Sequence, residues 1–440
     1  MAPPTDIPRF DKTLALYERA RRVMPGGVNA SARVNAALGH PLFMQHGKGA
    51  YLNDVDGHSY IDYCLSHGAS LLGHGHPAIV EAVQHVLERG VLLSCETEIQ
   101  VEAAELLLPL FPDAELLRFS GSGTEATWHA VRIARAHTGR WGVIKFEGHY
   151  HGVNDTVGFS HWPGLEQAGP VGCPRPVPDS AGIPPGSSDL VTVLPFNDID
   201  ALARTITSQK DRYAALIMEP VNYDSCAIRA LPAFLAAVRD LTRRHGIVLI
   251  FDEVLSGFRV RPGPALGDAC VPDMTVLGKA VGGGMPVSVI LGRRAIMETC
   301  SPVGPALHSG TYNAPPMLVA AVQAFVREAT RPGFYEHLDV LGENLYQGMR
   351  GIFSRCGIKA WVQGVGARFG LLFGLDREPC NYREIAGQDM ETLGRFHLAC
   401  LKRGVYLHHV SPHHGFSSAH TLDDVQNTLD VMDAAAREIA

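Results

Sequence analysis

The chain has 440 residues, 46% of them hydrophobic and 19% charged, with a formal net charge of −7 and a mean hydropathy of +0.03. This composition describes a globular protein of two or more compact pieces and excludes a disordered chain. An acidic balance without a dense Lys/Arg stripe argues against a nucleic-acid partner, and no apolar run is long enough to span a membrane.

The opening "MAPPTDIPRF" lacks the basic-then-apolar layout of a secretory signal. Nine scattered cysteines without a CxxC pair suit reduced thiols, so a cytoplasmic location is expected. Histidines cluster in "HGH" (74–76), "HYH" (149–151) and "HHVSPHH" (408–414). None has the spacing of a known metal site, and no metal is expected.

In chain order, residues 11 to 24 read as a short amphipathic helix before the glycine turn "PGG". "GAYLNDVDGHSYIDY" (49–63) alternates around a "DG" dipeptide, a hairpin signature. From about residue 78 the period lengthens to helical, with apolar strands between the helices. Helices are predicted over 78–89, 98–110, 125–138 and 232–245. Strands are predicted at "LLRFS" (116–120), "GVIKFE" (142–147), "AALIMEP" (214–220), "IVLIFDE" (247–253), "MTVLG" and "VSVILG". Such alternation predicts an α/β domain with a mostly parallel sheet covered by helices. Beyond about 330, helices at 335–353 and 389–403 with strands near 358–375 and at "GVYLH" predict a smaller α+β domain. The expected division is therefore 1–64 packing with the small domain, 65–330 as the large domain, and 331–440 as the small one.

Ligands of a parallel sheet sit beyond the carboxyl ends of its strands. Three features fall at such ends. "FSGSGTEA" (119–126) runs from strand to helix through Ser122, Gly123 and Thr124, small residues that let backbone N–H groups approach an anion. The same stretch also fits a dinucleotide fingerprint, Gly121-x-Gly123-x-x-Ala126, with Glu147 as the ribose acid. Asp252 ends one of the most apolar strands, where a carboxylate needs a cationic or hydrogen-bonding partner. Lys279 follows the strand of "MTVLGKAVGGGMPVSVILG" and precedes three glycines. A desolvated lysine there is a candidate nucleophile.

A dinucleotide site leaves Asp252 and Lys279 unexplained, whereas pyridoxal 5'-phosphate accounts for all three features. Its aldehyde needs a lysine amine, its pyridine nitrogen a carboxylate, and its phosphate a helix start with small polar donors.

The blocks "MPGGVNASAR", "YLNDVDGHSYIDY", "RFSGSGTEAT", "KFEGHYHG", "LIFDEVLSGFR", "VLGKAVGGGMPV" and "GTYNAPP" resemble the class III pyridoxal-phosphate aminotransferases. Within that family the pattern is most similar to the glutamate-1-semialdehyde 2,1-aminomutases. The resemblance runs from about residue 14 to 432. It implies a fold type I enzyme, a homodimer with active sites at its interface, and small amino and keto acids as substrates.

By that resemblance Lys279 is the imine lysine, Asp252 the pyridinium partner, and Ser122, Gly123 and Thr124 the phosphate loop. Tyr150 and Val254 match the two faces of the ring, and Thr311 matches a threonine reaching the phosphate from a neighbouring subunit. Arg33 matches a carboxylate-binding arginine. The departures lie on the substrate side. "NSPVR" becomes "NASAR", and a tryptophan becomes His67. An amide becomes Asp224, and a gating glutamate becomes His413. The expected activity is amino transfer between a small α- or β-amino acid and a keto acid, with aminomutase-type intramolecular transfer as the alternative.

Overall fold

The computed structural model describes residues 9–209, 211–407 and 413–440. The chain divides into two compact units. One holds the residues up to His76 together with Gly333–Glu378 and Gln388–Ala440; the other holds Pro77–Pro332 and Pro379–Gly387. The N-terminal segment is grouped with the C-terminal part, and the first boundary falls at His76. The short segment Pro379–Gly387 belongs to the large unit, which the sequence pattern did not foretell.

The large unit is built on a seven-stranded sheet. Its strands are β1 (Leu116–Ser120), β2 (Gly142–Phe146), β3 (Val191–Leu194), β4 (Tyr213–Met218), β5 (Val248–Glu253), β6 (Met274–Leu277) and β7 (Ser288–Gly292). Their order across the sheet is β1-β7-β6-β5-β4-β2-β3. Strand β7 runs antiparallel to both neighbours, and the remaining pairings are parallel. Strands β2, β4, β5, β6 and β7 are buried at every position, the expected result of covering both sheet faces. Ile217, Ile250, Val276 and Ile290 join Ala126, Ala130 and Ile133 of helix Gly123–Thr138 in one core. Each fully buried aliphatic side chain of this kind contributes about 1.5–3 kcal/mol.

That helix is defined at both ends. Ser122 Oγ accepts from Glu125 N at 3.2 Å, and Gly139 closes the other end at φ 69. Strand β3 and the helix Ile199–Ser208 had no counterpart in the sequence reading, because a Pro/Gly-rich stretch hides the four-residue strand.

In the other unit the predicted hairpin forms from Tyr51–Asp54 and Ser59–Asp62. Asp54 Oδ1 accepts from the N–H groups of Asp56 (3.0 Å) and His58 (2.8 Å), which fixes the "DVDG" turn. A second sheet pairs Ala360–Val365 with Arg368–Phe373, and the latter with His413–Gly415. Helices Phe334–Arg355, Met390–Leu401 and Leu422–Ile439 complete the unit; the last starts with a capping box from Thr421 and Asp424.

Candidate active site

The parallel register carries the carboxyl ends of β1, β2, β4, β5 and β6 to one edge of the large sheet. Asp252 pairs with Val276, Phe251 pairs with Met218, and Ser120 faces Ser288. Chemistry-bearing residues follow directly: Ser122 after β1, Tyr150 after β2, Glu219 after β4, Asp252 on β5 and Lys279 after β6.

Asp252 is 4% exposed and has two donors. His151 Nδ1 lies 2.7 Å from Oδ2, and Val254 N donates to Oδ1 at 3.1 Å. Donation places the ring proton of His151 on Nδ1, and burial lowers the pKa of this imidazole below its usual value, favouring the neutral ring. Nothing in the local pattern around "HYH" marks His151 as the partner of a residue a hundred positions away. The only available signal was its place at the end of a strand of the same sheet.

Glu219 holds the preceding turn. Its Oε1 accepts from Tyr150 N at 2.9 Å, while its own N–H donates to His149 Nδ1 at 3.0 Å. Burial pushes the Glu219 carboxyl well above the usual range, with Asp224 and Asp252 adding to the effect and Lys279 opposing it. Tyr150 is half-buried and packs on His161, ring centroids 4.7 Å apart. His161 Nε2 lies 3.6 Å from Asp224 Oδ2. Burial, then Asp224, raises the Tyr150 phenol.

Lys279 is half-buried at φ 47, opening a short turn after β6. A left-handed lysine costs on the order of 1 kcal/mol and persists only where its surroundings impose it. Val254 fills the space beside two glycines: a methyl at Gly123 or Gly278 would come within 3.1 Å of it. Gly152, at φ 94, lies so close to Thr124 that a methyl there would sit 2.6 Å from Thr124 Oγ1. The chain therefore keeps side chains away from the mouth of the 123–138 helix.

Pyridoxal phosphate can be tested against these residues. The helix start leaves the N–H groups of Gly123 and Thr124 without partners inside the helix, and Gly121 N already binds a carboxylate, Glu125 Oε2, at 2.9 Å. The buried Asp252 faces this edge with its geometry fixed from behind by His151. The donor set suits an anion at one end and a ring nitrogen at the other. The dinucleotide reading fails: Glu147 is 1% exposed, and Arg383 holds both its carboxylate oxygens at 2.7 Å, leaving none for a ribose.

Thr311 is exposed and lines a concavity of about 740 Å³ with Arg118, His308 and Gln100. Arg33, His67 and His413 belong to the other unit. Arg33 is exposed at the end of the turn Ser31–Arg33, and His67 sits half-buried in a left-handed turn with Leu65 and Ser66. His413 is buried, its Nδ1 bonded by the Arg368 guanidinium. His408 and His409 lie outside the described residues.

Sheet order and edge chemistry together define a pyridoxal-phosphate-dependent enzyme of fold type I. The aminotransferase class-III family model matches residues 34–414, and the chain belongs to that family. A glutamate-1-semialdehyde 2,1-aminomutase of Laribacter hongkongensis is 41% identical over 424 residues, spanning 96% of this chain and 98% of that protein. Among solved structures, an omega-transaminase from Sphaerobacter thermophilus superposes with a TM-score of 0.91 at 34% identity, covering 97% of each chain. A transaminase with pyridoxal phosphate bound gives 0.89 at 29% identity, covering 98% of each. Among the described residues no helix is long and apolar enough to cross a membrane.

Proposed function

We propose that this enzyme moves an amino group between a small amino-carboxylic acid and a keto acid, in two half-reactions at one site. The observation that carries this reading is the contrast between two sets of residues. Residues suited to the cofactor gather at one sheet edge, whereas Asp224 stands where an aminomutase pattern has an amide and pairs with His161 beside Tyr150.

The bound cofactor supplies an aldehyde that captures amines and a ring that draws electrons from the substrate carbon. Lys279 holds the cofactor between turnovers and, once freed by substrate, carries the proton to and from the substrate carbon at Nζ. Asp252, oriented by His151, keeps the ring nitrogen protonated. Tyr150 and Val254 hold the ring plane, and Ser122, Gly123 and Thr124 bind the phosphate. Thr311 of a second copy completes the phosphate site in a homodimer. Arg33 orients the substrate carboxylate, with His67 and His413 on the substrate side.

The test is to supply the pyridoxal form with one amino acid, quantify keto acid released per site, then add a different keto acid and follow turnover. The 41% identity to an aminomutase favours a second reading, intramolecular transfer. Conversion of glutamate-1-semialdehyde to 5-aminolevulinate without a partner substrate, faster than every transamination tried, would establish that second reading.

A further inference from the structure

Lys145, on β2, is completely buried and makes no ion pair within the described residues. Its three ammonium hydrogens meet three backbone carbonyls of one loop: His149 O at 2.9 Å, Val157 O at 3.2 Å, and Phe159 O. A buried ammonium held only by neutral oxygens is costly to keep, since burial disfavours the charged form. Burial lowers Lys145 to about 8, and the nearby Asp179, Glu219 and Asp252 oppose that shift.

The loop between those carbonyls touches the cofactor residues at three places. It bears Tyr150; it bears His151, which binds Asp252; and it passes Thr124, whose Oγ1 accepts from Val153 N at 3.3 Å. The start of the loop is held by the backbone bonds from Gly148 N to Ser160 O and from His149 N to Phe146 O, and by several side chains. Asn222 Nδ2 (2.9 Å) and Ser225 Oγ (3.1 Å) donate to Gly148 O, Thr127 Oγ1 donates to His151 O (2.6 Å), and Glu219 accepts from Tyr150 N. Lys145 is the side chain that joins the start of the loop to its end, beside one backbone bond from Gly148 N to Ser160 O at 3.0 Å.

We propose that Lys145 is a positioning residue for the cofactor site, its buried ammonium tying both ends of loop 149–159 so that Tyr150, His151 and Thr124 are presented together. The inference rests on the cofactor occupying this sheet edge. Lys145 touches neither cofactor nor substrate on this view, and acts through the loop.

The test compares wild type, Lys145→Met and Lys145→Gln as apoproteins titrated with pyridoxal phosphate. Three quantities are read: the dissociation constant, the visible circular dichroism per bound cofactor, and the melting temperature of the apoprotein. Lys145→Met removes a buried charge but takes the ammonium donor from the His149 and Phe159 carbonyls, while Val157 O keeps Phe159 N at 2.9 Å. It is expected to fold, to bind cofactor about tenfold or more weakly, and to show reduced dichroism. Lys145→Gln, keeping two donors, is expected to lie between. Unchanged affinity and dichroism in a folded Lys145→Met protein would overturn the inference. So would failure of both variants to fold, which would make the residue structural. Lys279→Ala is run alongside: if it too binds cofactor with unchanged affinity and spectrum, the fault lies with the site assignment rather than with Lys145.

Discussion

His151 Nδ1 and Asp252 Oδ2 stand 2.7 Å apart with both side chains buried, so the carboxylate at the end of β5 is aimed by an imidazole from the loop after β2. Replacing His151 by Ala leaves Asp252 buried with one donor fewer. Losing a hydrogen bond to a charged group costs about 1.5–3 kcal/mol, so turnover is expected to fall roughly 10- to 100-fold. Cofactor should still bind, with an absorption spectrum that shifts with pH where that of wild type does not. Steady-state rates and a spectrophotometric pH titration check both points, and an unaltered kcat would show that Val254 N suffices to hold the carboxylate.

Asp252→Ala removes the anion itself. Breaking a buried charge partnership costs about 3–5 kcal/mol, and a rate loss of at least roughly a hundredfold is expected. Cofactor affinity should change less, because the phosphate contacts at Ser122–Thr124 remain. A loss below tenfold would reduce Asp252 to a structural carboxylate.

Lys279→Ala is expected to abolish turnover while the protein still folds and retains cofactor non-covalently. Borohydride treatment of wild type followed by peptide mapping should label Lys279. Labelling of Lys145 instead would reverse the roles argued for the two lysines.

Glu253, beside Asp252 but on the other face of β5, makes stability depend on pH. Its Oε2 accepts from Ala265 N at 2.8 Å and from Ser256 Oγ at 3.2 Å, yet burial raises its pKa from 4.5 to about 7. Between those values the native state holds a proton that the unfolded state has released. Stability from this group is therefore greatest below 4.5 and declines by roughly 3 kcal/mol as pH rises through 7. Glu253→Gln should flatten that part of the profile, gaining on wild type at pH 8 relative to pH 5 in urea denaturation. Parallel profiles for the two proteins would contradict the assignment.

The pair of Arg383 and Glu147 offers a test of the fold alone. Arg383→Met leaves a carboxylate buried at 1% exposure without its cation, a change expected to cost about 3–5 kcal/mol. The double variant Arg383→Met, Glu147→Gln should recover a large part of that loss. Equal stability of both variants would mean that the charge is not the reason the arginine is there.

Much of this edge was legible from the chain alone because each residue announces itself locally. A strand as apolar as Leu249–Phe251 that ends in Asp252, and a lysine between Leu277 and three glycines, are conflicts of pattern and residue type that only a site explains. The elements Leu116–Ser120 and Gly123–Thr138 were equally readable, one from its apolar run and the other from the helical period that follows "FSGSGTEA". What stayed hidden depends on distant partners. His151, Glu219 and Lys145 sit in unremarkable local sequence, and their meaning comes from Asp252, Tyr150 and Phe159 being brought beside them by the sheet. Strand β7 reads like its parallel neighbours, since burial on both faces erases the alternation that would show its direction. Glu147, equally placed for a ribose by sequence, is claimed by a segment more than two hundred residues away.

That segment has a practical corollary for anyone dividing the gene. Residues Pro379–Gly387 complete the large unit through Arg383 on Glu147 and Gly169 O, Tyr382 OH on Pro163 O, and Asn197 Nδ2 on Cys380 O. The Tyr382 side chain also stands where any Cβ on Gly148 would be, 2.8 Å away, at the first residue of the loop that bears Tyr150. A fragment cut at Pro332 would expose the back of that loop and strand a buried anion. Swapping everything after Pro332 for the corresponding part of a relative transplants part of the cofactor domain along with it. Chimeras meant to exchange substrate preference should therefore keep this nine-residue patch with its native sheet and graft on either side of it.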